Sequence, residues 1–416
     1  MVSIAARSAG LHVVTLPNGD LPVLERLKGL SVLLLPQADF SRIASQSFPR
    51  HLRKIMIPTA IYAPPVLAQT DFKIPKTPAG DHFCLSSGST GEPKLIRSKA
   101  KDEVEIAAIC RPVPKHEKRK IALLNCPIFG ALGYKWGLSV LHNGYAMIID
   151  QNPNFTATVL RPDITMVQLY PQLIRQLIPH LPEKNSQTDL SVFFGGGHVP
   201  FAQISELRER LSPNLFNLIG VSELSTLLTY TQIRLIDDLS WNHVVPGRVV
   251  EIVDEEDRIL PSGQEGRLRV KLQRLDAHGY EGDPITSQKT FRDGCFYTGD
   301  LAILGADGRL KLTGRASDAL SIGGFKMSTA ALENSIASSI GKCVCVFSAT
   351  SQDNKTELHI VVEGTQIPSL SERDSLMTLL PPAEKIHFHS HDQFALNTGG
   401  KVDRMALRKS ILGVIQ

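Results

Sequence analysis

Residues Leu85 to Lys94 read LSSGSTGEPK, with two glycines, four hydroxyl side chains, one proline and one lysine. A turn whose amides are unscreened by side chains can wrap a polyphosphate, hydroxyls add hydrogen bonds, and a lysine adds charge. Taken alone, the stretch fits a phosphate cradle or a plain flexible linker. The pattern G-x4-G-K-[ST] is excluded, because Pro93 stands before Lys94 where that pattern needs glycine. A second cluster, Gly195 to Gly197 in FFGGGHVP, follows an apolar run. Glycines there let a ligand approach the backbone, or simply make a tight strand–helix turn. Near the C-terminus, NTGGKVDR (397–404) sets Lys401 behind Gly399 and Gly400.

The elements that must position these residues follow a grammar. LSVLLLP (30–36) predicts a buried strand, and residues 82–85 a short strand running into the glycine-serine turn. The apolar run 164–169 is followed by Pro171 and then by leucines and isoleucines at helical spacing, and proline suits a first helical turn. LSVFFGGGHVPFAQISELRERL repeats strand, glycine turn, helix, and LFNLIG adds another strand. Such alternation predicts a parallel α/β sheet with ligands at the strand C-termini. From 241 to 313 the texture changes to short strands separated by Gly, Pro and Asp turns: RVVEIVD, EGRLRVKL, FYTGDLAIL and GRLKLTG. That predicts an antiparallel, barrel-like or sheet subdomain. Beyond Gly314, strands (343–348, 357–363) mix with helices.

Six stretches in order resemble the adenylate-forming (AMP-binding) superfamily of acyl-CoA synthetases, aryl-acid ligases, peptide-synthetase adenylation domains and luciferases. SSGSTGEPK is similar to its phosphate loop, FFGGGHVP to its adenine-side glycine turn and NLIGVSELS to N-x-Y-G-x-[ST]-E. FYTGDLA is similar to Y-x-T-G-D, GRASDALSIGGFKMS to the hinge segment and NTGGKVDR to the terminal lysine loop. The resemblance spans roughly residues 82 to 405.

The resemblance implies an α/β fold: a large N-terminal domain, 1–314 (α/β to about 235, β-rich 241–313), and a small mobile α+β lid, 315–416. It implies that Ser86, Ser87, Gly88, Ser89, Thr90, Gly91 and Lys94 cradle the β- and γ-phosphates of ATP. Gly195, Gly196 and Gly197 lie under adenine and substrate, and Glu223 holds Mg²⁺ through a hard carboxylate oxygen. Ser222 touches the α-phosphate, Asp300 accepts from the ribose hydroxyls, Arg315 contacts ribose or phosphate, and Lys326 contacts phosphate. Lys401 bridges the substrate carboxylate and the α-phosphate as charge builds there. Phe129, Tyr134, Gly195 and Gly220 line the acid pocket. The implied reaction is ATP-dependent formation of acyl-AMP with release of pyrophosphate, then transfer to a thiol, CoA first, making the chain an acyl-CoA synthetase-like ligase. One alternative is a stand-alone adenylation enzyme that loads a carrier-protein phosphopantetheine or forms an amide; another is a nucleotide-binding pseudoenzyme.

Several positions depart from the family pattern. About 85 residues precede the phosphate loop, so the resemblance implies a trimmed N-terminal subdomain. Ser317 stands where the family has its hinge aspartate, with Asp318 next; Ser321 replaces a lysine, Lys326 an arginine, Gly130 a histidine and Leu95 a glycine. Lysine at 326 keeps the charge and loses the planar fork.

Bulk properties bound the reading. At 416 residues the chain accommodates two to four folding units. With 42% hydrophobic and 21% charged residues it is an ordinary globular sequence, and a net charge of +4 argues little for nucleic acid. The basic run RPVPKHEKRK (111–120) reads as a solvated loop. No apolar run reaches the ~18 residues of a membrane span, and the start lacks a signal-peptide pattern. Cys84, Cys110, Cys126, Cys295, Cys343 and Cys345 are scattered, and the single C-x-C has no second pair to complete a zinc site. Reduced thiols in the cytoplasm are the expectation.

Overall fold

Strands buried on both faces of a parallel sheet read as continuous apolar runs, and the central sheet is built that way. The computed structural model describes residues 7, 12–14, 32–36, 53–57, 78–86, 94–110, 121–125, 130–150, 155–184, 189–197, 199–316, 319–322, 325–350, 356–380, 385–395 and 402–413. They form two compact units, Met1–Leu85 with Arg97–Lys101, and Ser86–Ile96 with Asp102–Gln416.

In the first unit β1 (Val13–Val14) runs parallel to the strand that begins at His82, pairing Val13 with His82. Strands β2 (Val32–Pro36) and β3 (Arg53–Ile57) are also parallel. β4 (His82–Ser86) ends on the first serine of the glycine-serine stretch, and β5 (Lys94–Ser98) starts on its lysine.

The second unit holds a six-stranded sheet ordered β11-β10-β9-β8-β6-β7. Its strands are β6 (Ile121–Leu124), β7 (Ala146–Ile149), β8 (Met166–Leu169), β9 (Ser191–Gly195), β10 (Asn214–Ile219) and β11 (Thr229–Gln232). All pairs are parallel except β10–β11. Consecutive residues bury on opposite faces. Leu123, Val167, Leu169, Val192 and Phe194 enter one apolar cluster; Ala122, Leu124, Met166 and Phe193 enter another. The first is covered by α4 (Pro171–Leu177) through Ile174 and Leu177, and by α5 (Phe201–Arg210) through Ile204 and Leu207. The second is covered by α2 (Ala131–His142) through Trp136 and Val140. Two shorter helices, α1 (Glu103–Ile109) and α3 (Thr156–Val159), complete this part. Replacing one such core aromatic by alanine costs roughly 3–5 kcal/mol, so the sheet is a rigid platform for whatever its strand ends carry.

A second, antiparallel sheet is ordered β12-β17-β16-β14-β13, with β15 added on β16. It comprises β12 (Asn242–His243), β13 (Val250–Val253), β14 (Glu265–Lys271), β15 (Phe291–Arg292), β16 (Cys295–Leu304) and β17 (Arg309–Arg315), with α6 (Pro284–Thr290) before β15. Its core joins Ile252, Leu268, Val270, Phe296, Ala302 and Leu310 to Leu224 and Leu228 from the parallel-sheet side.

β18 (Ala319–Ile322) and β19 (Phe325–Ser328) pair antiparallel after β17. Then come α7 (Thr329–Ile340), β20 (Val344–Thr350), β21 (Thr356–Glu363), α8 (Leu370–Met377), β22 (Lys385–His391) and α9 (Arg404–Leu412). The sheet β20-β21-β22 has an apolar cluster on each face, one with α7 and α8, the other with α9. Parallel α/β sheet, β-rich segment and α+β C-terminal part thus stand as the sequence predicts. Among the described residues no helix is long and apolar enough to cross a membrane, and Cys295, Cys343 and Cys345 are free thiols.

Candidate active site

The chain leaves the C-terminal end of β10 at Ile219 and returns in β11 at Thr229. The connection carries Glu223, which is 8% exposed. A buried carboxylate needs hydrogen bonds. Tyr280, itself buried, donates its hydroxyl to Glu223 Oε1 at 2.8 Å. Among the described residues Tyr280 is the one side chain bonded to that carboxylate. Burial, reinforced by the Glu223 charge, raises the Tyr280 phenol well above its ordinary pKa, so it stays a donor. The Lys94 ammonium lies 4.8 Å from the centre of the same ring, a cation–π contact. The amide of Glu281 donates to the carbonyl of Leu95 at 2.8 Å, fixing the start of β5 against this loop. Asp283 is held below the usual carboxylate range by the hydroxyl and amide of Thr286, with Lys94 adding to the effect.

Two further devices hold the Glu223 turn. Lys135, on α2, donates its amine to the carbonyls of Ser222 (2.9 Å) and Leu224 (2.8 Å), one on each side of Glu223. Below the turn lies an ion pair whose side chains are 1% and 0% exposed, Arg248 and Asp276. Asp276 Oδ1 accepts from the amide and hydroxyl of Ser225, both at 2.7 Å. The guanidinium reaches Oδ2 at 2.6 Å and Oδ1 at 2.8 Å, and the amide of Gln273 adds a bond at 2.8 Å. Burial pushes the Asp276 carboxyl up, but Arg248 and the two amides outweigh it and hold it below its ordinary value.

The glycine triplet sits at the end of β9. Gly195 pairs with Leu218, and a Cβ there would lie 2.3 Å from the Leu218 carbonyl oxygen. Glycine at 195 is therefore required by strand packing alone. Gly196 has φ +84° and lies against the Tyr170 ring, while Gly197 lies against Pro171. Both are exposed, as is Gly220 at the end of the neighbouring strand. The glycine turn and the Glu223 turn thus occupy adjacent C-terminal strand ends.

Asp300 lies on β16 opposite Arg315 on β17, next to a register shift between Leu301 and Ala302. Such irregularities re-aim side chains. Its amide donates to Thr298 Oγ1 at 3.0 Å, and Arg315 Nε stands 3.1 Å from Asp300 Oδ1. A chain of rings, Tyr280 to Phe291 (5.1 Å) to Phe296 (5.2 Å), links the Glu223 partner to this strand. Tyr134 is half-buried on α2 and donates its hydroxyl to Glu103 at 2.7 Å.

Ser86 ends β4 and Lys326 lies on β19. Ser87, Gly88, Ser89, Thr90, Gly91, Phe129 and Lys401 lie outside the described residues, as do Ser317 and Asp318. C-terminal to Lys401, the amide of Asp403 donates to the carbonyl of Ala395 at 2.8 Å. Arg404 then pairs with the buried Glu333 of α7 at 2.7 Å. Sequence reading missed Tyr280, Lys135 and the Arg248–Asp276 pair. Tyr280 alone had a local signal, a large aromatic in the polar loop AHGYEGDP.

Residues 41–280 match the family model described as AMP-binding enzyme. Among curated proteins, the chain is 30% identical over 275 residues to the vibriobactin-specific 2,3-dihydroxybenzoate-AMP ligase of Vibrio cholerae, covering 61% of this chain and 48% of that one. It is 28% identical over 263 residues to a 3-[(3aS,4S,7aS)-7a-methyl-1,5-dioxo-octahydro-1H-inden-4-yl]propanoyl:CoA ligase of Rhodococcus jostii, covering 61% and 49%. The chain thus spans about half the length of the curated relatives it matches. Among solved structures, the amide bond synthetase of Marinactinospora thermotolerans superposes with a TM-score of 0.76 at 19% identity, covering 98% of this chain and 86% of that one. With its motifs in order and its sheets as expected, this chain belongs to the AMP-binding enzyme family, the adenylate-forming superfamily.

Proposed function

We propose that the chain activates a carboxylic acid as its acyl adenylate at the expense of ATP and then passes the acyl group to the thiol of CoA. The observation that carries this reading is buried Glu223, held by Tyr280 with Lys94 against the same ring, at the C-terminal end of a parallel sheet. In the first step a carboxylate oxygen attacks the α-phosphorus, that P–O bond forms, the α–β bridging P–O bond breaks, and pyrophosphate leaves. Carboxylates are ionised at neutral pH, so no general base is needed. Positioning and charge compensation supply the acceleration. In the second step the thiol sulfur attacks the acyl carbon, loses its proton, and AMP leaves.

Roles follow from charge and place. Lys94 and the Ser86–Gly91 loop take the outer phosphates, and Lys401 ties the substrate carboxylate to the α-phosphate. Asp300 accepts from ribose, with Arg315 and Lys326 as cationic contacts. Glu223 fits a hard cation, since its buried carboxylate offers oxygen donors and Tyr280 orients it through Oε1. Bound there, Mg²⁺ would neutralise phosphate charge. Ser222 lies beside it on the same turn, and Tyr134 and Phe129 with the exposed glycine ends of β9 and β10 form the acid side. Residues 315–416 act as the mobile lid on 1–314, carrying Lys401 out between steps.

The decisive assay is carboxylate-dependent ATP–pyrophosphate exchange over a panel of aromatic and medium-chain acids. Exchange should appear with at least one acid and vanish in Lys401→Ala while ATP binding persists. Folded protein that exchanges with no acid, or near-full exchange in Lys401→Ala, overturns the reading. Hydroxylamine trapping followed by CoA, a phosphopantetheinylated carrier or an amine as acceptor then fixes the second step.

A further inference from the structure

The C-terminal sheet carries a row of imidazoles that the proposed reaction does not use. β21 and β22 are parallel, with His359 opposite His387 and Glu357 opposite Lys385. Side chains alternate faces along a strand. Leu358, Ile360, Val362, Ile386 and Phe388 therefore turn into one apolar cluster, and Glu357, His359, His387 and His389 share the other face. The rings of His359 and His387 stack at 4.6 Å and 9°, and Phe347 of β20 stacks on the far side of His359 at 5.3 Å. His389 lies 5.3 Å from His359, ring to ring.

Hydrogen bonds among the protein groups satisfy only part of this set. His387 Nε2 lies 2.8 Å from Glu357 Oε2, and His359 Nδ1 lies 3.0 Å from His389 Nε2. His359 is 5% exposed, and its Nε2 is buried with no hydrogen-bond partner. An orphaned buried nitrogen costs about 1–3 kcal/mol and calls for an occupant. One ligand atom from each of Glu357, His359 and His387 lies within 4.8 Å of the other two. Around a tetrahedral ion with bonds of about 2.0–2.1 Å, donor atoms stand roughly 3.3 Å apart. Closing the set requires side-chain shifts on the order of 1 Å, which the partly exposed Glu357 and His387 permit. Two backbone-paired histidines on adjacent strands form a rigid base, and the carboxylate reaches it from two residues before His359 on the same strand. Imidazole nitrogens with one carboxylate select a borderline divalent ion over Mg²⁺ or Ca²⁺. Lys385, 3.8 Å from Glu357, is the one competing cation on that carboxylate among the described residues.

We propose that Glu357, His359 and His387 form a binding site for a borderline divalent transition-metal ion of the Zn²⁺ type, with His389 as the outer-shell partner of His359. The site is independent of the nucleotide chemistry. The test uses tag-free full-length protein and the metal alone. Equilibrium dialysis with Zn²⁺ should give one equivalent bound, and Co²⁺ should give visible d–d bands of a low-coordinate site that Zn²⁺ abolishes. His387→Ala and Glu357→Gln should each weaken binding by about tenfold or more. His391→Ala, which alters a histidine outside the ligand set, should leave it unchanged. Circular dichroism verifies that each variant is folded, and His387, partly exposed, is the position where that is most secure. Absence of binding in wild type, or equal affinity in wild type and folded His387→Ala, overturns the site. Loss of binding in His391→Ala alone reassigns the ligands and equally overturns it.

Discussion

Replacing Asp276 by alanine tests how the Glu223 turn is held. The substitution removes a carboxylate whose side chain is 0% exposed and leaves Arg248, 1% exposed, buried without its counter-charge. It also strips the acceptor from the Ser225 amide and hydroxyl and from the Gln273 amide. What remains for the guanidinium is Thr226 Oγ1 at 2.8 Å and Ser225 Oγ at 3.3 Å. Breaking a buried pair in this way costs about 3–5 kcal/mol, mostly from the uncompensated charge. At an unfolding entropy of roughly 2 cal/mol/K per residue, a chain of 416 residues melting as one unit would lose about 3–6 °C.

Differential scanning calorimetry on wild type, Asp276→Ala and the double variant Asp276→Leu with Arg248→Met reads this directly. The double variant buries no charge and should recover most of the loss, because apolar replacements of both partners are often close to neutral. Pyrophosphate exchange should fall in Asp276→Ala even well below its melting temperature, since Ser225 lies two residues beyond Glu223. A single variant melting within about 1 °C of wild type, or a double variant no better than the single one, would refute the reasoning.

Tyr280→Phe keeps the ring under Lys94 and deletes only the hydroxyl bonded to Glu223; exchange activity should drop about 10–100-fold, the range for outer-shell partners of metal ligands, which is the role proposed for Glu223, and an unchanged rate would remove Tyr280 from the site. Gly195→Ala would force a methyl to within 2.3 Å of the Leu218 carbonyl oxygen, so β9 and β10 must part; a cost of about 3 kcal/mol or more should appear as a lower melting temperature or insoluble protein, and normal melting would contradict the packing described. The folded-state pKa of Asp276 lies below its unfolded value of about 3.9, so its contribution is complete above that value and is lost as pH falls through the folded one. Wild-type stability should therefore drop below about pH 4, with a shallower acid limb in Asp276→Ala; superimposable limbs would show that the carboxylate is not coupled to folding.

Local signals explain what was legible in the sequence. The central strands of the parallel sheet are mainly apolar, and Pro171 marks the first turn of α4. The antiparallel segment shows itself by its turn residues, as at Gly308 (φ +78°) between β16 and β17. Glu223 and Asp300 were legible as candidates because the motifs around them are contiguous. Their supports were not, because no short window contains both partners. Tyr280 is 57 residues from Glu223, Lys135 is 87 from Ser222, and Arg248 is 28 from Asp276. Gly195 shows the opposite problem: the resemblance sets adenine and substrate against it, whereas the atom that approaches it in the structure is the Leu218 carbonyl oxygen of the next strand.

The imidazole row makes the same argument from the other side. HFHSH (387–391) displays its period of two openly, which puts His387, His389 and His391 on one face of a strand. A single strand of alternating histidines is not a site. It becomes one only when β21 pairs with it in parallel at the register His359↔His387, a register set by the connection through α8 and by the apolar residues on the opposite face. A slip of one residue would place Leu358 or Ile360 opposite His387 and turn every imidazole of one strand away from the other. The apolar core of the C-terminal sheet, by fixing that register, therefore also fixes which donors meet, just as the parallel sheet fixes the meeting of the Gly195 and Glu223 turns.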